Sequence, residues 1–276
     1  MWQQRACSDE AAAAGVTVVP DGGMGPGLNV SLATCVMSLL EKPRAVRIWD
    51  GGLPQDPQPP WNYESTFAMG GLTNEYDGDA TFLRDGRLVP VACFSDLEVL
   101  DFEPPIGRLK AFVTSGGLST SPWTFEGTLQ RLENKTLRYP GHCAQFKAFS
   151  DLGMLGLDPI RVNGSRVAPR EVLHALLQPR IGRDLIRDVC VMRVACIGET
   201  NGQPASATVD LIDRYDKATG FTAMQRLTGW HAAIMLIAAV NGRTARGVVP
   251  VELALSGRTV VEECRRRGIA ITERQG

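Results

Sequence analysis

The chain has 276 residues, a net charge of -1 and 21% charged residues, the balance of an ordinary globular protein with room for a sizeable core. So even a charge gives no electrostatic case for nucleic acid or an anionic membrane surface as partner. The longest apolar run, 232–240, falls short of the ~20 residues that span a bilayer and reads as a buried helix.

Seven cysteines is an odd count with no Cys-x-x-Cys pair, and many sit among apolar neighbours, as in Cys190-Val191-Met192 and Ala195-Cys196-Ile197. That pattern favours reduced core thiols in a cytoplasmic protein and speaks against a metal site. The start, Met1-Trp2-Gln3-Gln4-Arg5 with an Ala-rich continuation, lacks the apolar core of a signal peptide.

In chain order, residues 10–14 have high helix propensity and stop at Gly15, and 16–19 form a β-branched run suited to a buried strand. The turn 21–27 is rich in glycine and precedes a helix over 28–40. Strand, glycine turn and helix in that order can set free backbone N–H groups against an anion or a flat ligand; a plain tight turn reads equally well. Strands are expected at 44–49, 63–67, 80–84, 88–91 and 109–114, with Asp85-Gly86 as a hairpin turn. Residues 51–60 read as a Pro/Gly-rich loop, and Ser115-Gly116-Gly117 as a place where backbone can approach a ligand or another chain.

The centre of the chain is Lys135-Thr136-Leu137-Arg138-Tyr139-Pro140-Gly141-His142. A strand leading in should end at Pro140-Gly141, placing a guanidinium, a phenol and an imidazole at or just beyond its end. Arg138 can grip a carboxylate through two parallel hydrogen bonds, and the charge of His142 changes near neutral pH. A structural ion pair for Arg138 and a helix-start role for His142 are the plainer alternatives. Beyond this stretch, helices are expected at 143–152, 170–177, 230–240 and 258–267, and strands at 188–197, 207–213 and 269–272. The run Arg265-Arg266-Arg267 reads as a solvated helix end.

Thr114-Ser115-Gly116-Gly117-Leu118-Ser119-Thr120 followed by the 135–142 stretch resembles the substrate-domain signature of the saccharopine dehydrogenase family, most closely its lysine 6-dehydrogenase branch. Asp21-Gly22-Gly23-Met24-Gly25-Pro26-Gly27-Leu28, Gly51-Gly52-Leu53-Pro54, Pro169-Arg170-Glu171-Val172-Leu173 and Thr222-Ala223-Met224-Gln225-Arg226-Leu227-Thr228-Gly229 are similar in the same order. The resemblance implies an α+β substrate domain on a mixed or antiparallel sheet over 29–219. Residues 1–28 and 220–276 would then form an incomplete Rossmann-like remnant made by both chain ends. It implies an oxidoreductase acting on an amino-acid amine with NAD or NADP, and a homodimer. Arg138, Thr136, Gly116, Gly117 and Thr228 would bind substrate, His142 or Tyr139 would handle the proton, and Gly23, Gly25 and Gly27 would meet the nicotinamide. The Gly-x-Gly-x-x-Gly turn that opens such enzymes is absent from this sequence, so the chain alone is expected to bind a dinucleotide poorly and to be inactive. A cofactor-less module that binds a carboxylate or forms dimers is the alternative.

Overall fold

Residues 188–192 are buried throughout, 207–213 alternate buried and half-buried side chains, and the two segments 188–200 and 203–214 meet at Asn201-Gly202. Both turn residues have positive φ, 52° and 71°, the two-residue geometry that matches the twist of a hairpin. This hairpin is the spine of a computed structural model that describes residues 1–276.

The first half of the chain contains α1 (Trp2–Ala6), α2 (Ser8–Ala13), β1 (Thr17–Val18), α3 (Leu28–Met37), β2 (Lys42–Pro54) and α4 (Met69–Glu75). It continues through β3 (Asp79–Arg84), β4 (Arg87–Ala92), β5 (Glu98–Asp101), β6 (Arg108–Phe112), α5 (Ser121–Thr124) and β7 (Arg131–Arg138). The second half has α6 (His142–Asp151), β8 (Ile160–Val162), β9 (Ser165–Val167), α7 (Pro169–Ile181), β10 (Asp188–Thr200) and β11 (Gln203–Arg214). It ends with α8 (Ala223–Val240), β12 (Gly247–Val248), α9 (Val251–Ala254), α10 (Gly257–Arg266) and β13 (Ile271–Gln275).

Nine strands make one mixed sheet, ordered β13-β11-β10-β2-β7-β3-β4, with β6 also on β7 and β5 beyond it. Within it β2 and β7 are parallel, in the register Asp50 opposite Thr136, while the other pairings are antiparallel. A core of 36 buried residues from Met24 to Ile271 joins the sheet to α3, α8 and α10. The segment beyond 220 therefore packs directly on the main sheet. A second cluster, with Tyr63, Tyr76, Phe94, Phe112 and Phe146, fills the space among α4, α6 and α7. A third, with Trp49, Phe102, Leu109 and Leu137, contains side chains from β2, β6, β7 and β10. Each fully buried leucine or phenylalanine among them contributes roughly 1.5–3 kcal/mol.

Several sequence expectations are corrected. The expected loop 51–60 begins only after Pro54, because Gly51 and Gly52 continue β2 between β10 and β7. At Gly51 any Cβ would overlap the Leu137 carbonyl oxygen, so glycine is what lets the backbones meet. Residues 63–67 form no strand: Tyr63 and Phe67 pack in the aromatic cluster, and Ser65 N–H donates to the Ile181 carbonyl at 2.9 Å. Helix α8 starts seven residues before Trp230, at Ala223, where Thr222 and Gln225 form a reciprocal capping box.

The expected remnant strand at 269–272 is also corrected. Strand β13 pairs antiparallel with β11 in the main sheet, Leu211 opposite Ile271, because β11 offers an open edge and Ile269 and Ile271 bury their side chains there. Strand β1 pairs parallel with β12, Thr17 opposite Gly247, as a separate two-stranded piece. No helix is long and apolar enough to cross a membrane.

Candidate functional site

The turn 21–27, the middle of β2, the end of α4, the 114–117 loop and alternate residues of β7 enclose a cavity of ≈ 690 Å³. Cavities of about 300–1,000 Å³ hold drug-sized ligands, so this one exceeds what a lone amino acid requires. Only three of its 23 lining residues are hydrophobic, seven are glycines, and its charged members are Asp21, Asp50, Glu75 and Arg138.

Alternation along β7 turns Asn134, Thr136 and Arg138 inward, and all three are buried. Arg138 lies over the Tyr63 ring, 5.4 Å from its centroid. Its Nη1 donates to the Leu137 carbonyl at 2.9 Å and its Nη2 reaches Glu75 Oε2 at a long 3.4 Å, while Nε has no partner. That ion pair is single and stretched, so the guanidinium has donor capacity left for a carboxylate. Burial, opposed by Arg138, pushes the Glu75 carboxyl up to about 7.

Asp50 sits on the neighbouring strand. Its Oδ1 accepts from Asn134 Nδ2 at 2.7 Å and its Oδ2 from Asn29 Nδ2 at 3.1 Å. Burial raises its carboxyl to about 6, against the pull of the two amides and Arg138. The turn fits around this carboxylate, since a Cβ on Gly25 would stand 2.6 Å from Oδ2. Gly117 likewise has no room for a Cβ, which would overlap Asn134 Oδ1.

Of the residues singled out in the sequence, Arg138, Thr136, Gly116, Gly117, Thr228, Gly23 and Gly25 all line this one cavity. Gly27 does not; at φ 135° it closes the turn from within, its N–H donating to Asn29 Oδ1 at 3.0 Å. The two proton-handling candidates are corrected, because neither reaches the cavity. The Tyr139 hydroxyl donates to the Pro54 carbonyl at 3.3 Å, and its ring belongs to the third core cluster. His142 is fully buried: its ring stacks on Phe146 at 4.2 Å, and Nε2 lies 2.7 Å from the Tyr76 hydroxyl. Burial and then Arg138 hold its imidazole well below the usual value, hence neutral. No group of three or more His, Cys, Asp or Glu side chains gathers where it could hold a metal ion, and all seven cysteines are free, five of them buried.

Asp50 and Glu75 were missed from sequence. For Asp50 a signal existed: a carboxylate set directly between the apolar pair Ile48-Trp49, which ends an expected strand, and Gly51-Gly52. Glu75 carries none, since Gly70 and Gly71 disguise the helix that positions it.

Fold and site together define a mixed α/β domain on one mostly antiparallel sheet, with a polar cavity built where a glycine turn meets a central strand. A family model described as the saccharopine dehydrogenase C-terminal domain matches residues 23–269, and the chain belongs to that family. It is similar to a solved structure, apo histidine-tagged saccharopine dehydrogenase (L-Glu forming) from Saccharomyces cerevisiae, with a TM-score of 0.77 and 19% identity. The match covers 99% of this chain and 77% of that one, and at this identity the likeness is one of fold.

Proposed function

We propose that this chain supplies the substrate site of an NAD(P)-dependent oxidoreductase acting on the amine C–N bond of an amino acid of the lysine or saccharopine type. The observation that carries this reading is Arg138, a buried guanidinium with spare donors, opening into a polar cavity that also holds carboxylates. Opposite charges at fixed positions suit a zwitterion. Arg138 anchors the substrate carboxylate, with the Thr136 hydroxyl and the Gly116-Gly117 backbone beside it.

The lining also fits the nicotinamide end of a dinucleotide. Gly23, Gly25 and Pro26 border the cavity without bulky side chains, and its volume leaves space beyond an amino acid. Those residues would hold that end, and the cofactor would supply hydride exchange with the carbon bearing the amine. The parallel pair β1–β12 is the part of this chain we assign to the edge of a Rossmann-like nucleotide unit. A homodimer is part of the same proposal, and light scattering across a range of concentrations tests it.

Calorimetry with lysine and saccharopine tests the anchor. A charge-assisted hydrogen bond is worth roughly 1.5–3 kcal/mol, so Arg138→Ala should weaken binding about 10- to 100-fold, and Arg138→Lys should recover only part. Equal affinity in wild type and Arg138→Ala would make Arg138 a structural residue.

A further inference from the structure

We propose that Asp50 is the residue that reads the substrate's ammonium group, making the cavity selective for amines over plain carboxylic acids. This rests on the reading of the cavity as an amino-acid site and adds the second of its two charge contacts.

The argument starts from the cost of a buried charge. A carboxylate taken out of water needs a counter-charge or a full set of donors. Asp50 is only 7% exposed, and its side-chain partners are the neutral amides of Asn29 and Asn134. The guanidinium within the same cavity is paired with Glu75 instead. Asp50 thus has one amide donor on each oxygen, further lone pairs unused, and a position on the cavity wall.

The two amides fix the carboxylate rather than neutralise it. Asn29 is itself held from both ends: its Oδ1 accepts from the N–H groups of Gly27 at 3.0 Å and Val30 at 2.8 Å, and its Nδ2 also donates to the Gly117 carbonyl at 2.9 Å. Its amide orientation is therefore set by the backbone. Asn134 is pinned by the close approach of Gly117. A carboxylate fixed in this way, without a cation of its own, is complementary to an arriving ammonium. Glu75 is the weaker candidate, because the Arg138 guanidinium already claims it and its side chain is about a third exposed, 31%.

The test compares L-lysine with hexanoate, which has the same six-carbon carboxylate and no amine. In the wild type at pH 7.5, calorimetry should show lysine binding at least 10-fold more tightly than hexanoate. Asp50→Asn should erase that preference, weakening lysine about 10-fold or more while hexanoate binding changes less than about twofold. Equal affinity of the two ligands in the wild type would overturn the proposal, and so would a folded Asp50→Asn variant that retains the preference. Should Asp50→Asn fail to melt cooperatively, Glu75→Gln and Asp21→Asn decide the matter, since these are the other lining carboxylates. Full preference in both leaves Asp50 as its source, and loss in either overturns the proposal. Failure of the underlying reading shows separately, as hexanoate affinity that Arg138→Ala leaves unchanged.

Discussion

Strand β7 carries two polar sets on alternate faces, and they are built to opposite rules. On one face Glu133 pairs with Arg84 at 2.7 Å and lies 3.9 Å from both Arg47 and Arg131, while Lys135 pairs with Glu98 at 2.8 Å. Each of these charges has a partner of opposite sign, and the arginines among them remain partly in water. One residue along, Asn134, Thr136 and Arg138 face a cavity in which Asp50 has no ion pair and Arg138 only a stretched one. In pairs of the first kind the charge that β7 supplies is itself largely buried, but an opposite charge lies within reach, so little of it is left uncompensated. Incompletely compensated buried charge of the second kind costs stability, and a chain retains it where a ligand completes the set. On the proposed function, the difference separates a face that decorates the sheet from one left open for a ligand.

The largest effect expected on this comparison comes from pushing the two central strands apart. In Gly51→Ala the new Cβ would overlap the Leu137 carbonyl oxygen, midway between Thr136 and Arg138. Relief requires moving backbone, so about 3 kcal/mol of stability and several degrees in Tm should be lost. Thermal unfolding checks this, and a melt equal to wild type would mean that β2 and β7 have slack at the cavity.

A smaller effect follows from His142, which sits behind the cavity in the aromatic cluster. Its folded pKa is depressed below 6.5, chiefly by burial. Below pH 6.5 the unfolded chain therefore takes up a proton that the folded chain refuses, so this contribution is intact above 6.5 and is lost as the pH falls. His231, lowered to about 4 by burial, acts in the same sense. Asp50 and Glu75, raised to about 6 and about 7, act in the opposite sense, since they stabilise the fold at low pH and cease to do so as the pH rises through those values. The clean measurement is thus a difference between variant and wild type. His142→Phe should remove an acid sensitivity of about 0.7 kcal/mol per pH unit at pH 6.5, rising toward about 1.4 kcal/mol per pH unit by about pH 5.5. Parallel stability curves for the two proteins between pH 6.5 and 5 would sink the assignment of a neutral, structural His142.

Much of this architecture was legible because it is local. Asp85-Gly86 and Asn163-Gly164 make their turns with positive φ at both residues, and Pro169 opens α7 at its first position. The cavity was partly legible too, since Thr136 and Arg138 share a strand face and Gly116-Gly117 end a run of β-favouring residues. What stayed hidden depends on pairing between distant segments. Asp50 matters because the parallel register sets it opposite Thr136 and beside Asn134. Nothing near residue 50 states that register. Strand β13 is short and mostly polar after Ile271, and no local pattern names its partner. His142 misled for a different reason. Pro140-Gly141 turns the chain into α6, and the imidazole enters the aromatic cluster instead of following Arg138 into the cavity.

The smallest effect is the sharpest test of the two faces, because it compares adjacent residues. The Lys135 ammonium bridges Glu98 and the Asp96 carbonyl, 2.8 Å from each, on the paired face. Lys135→Met should change stability by less than about 1 kcal/mol and leave lysine binding unchanged. Its neighbour Thr136 lines the cavity with a hydroxyl. Thr136→Val keeps the shape and removes that hydroxyl, so a hydrogen bond to the ligand worth about 0.5–1.5 kcal/mol should disappear and lysine should bind about 2- to 10-fold more weakly. The two variants together fix the meaning of the result. A loss confined to Thr136→Val places the binding chemistry on the cavity face of β7. An equal loss in Lys135→Met would show that the paired charges also bear on the ligand, and the distinction between a decorating face and a binding face would fall.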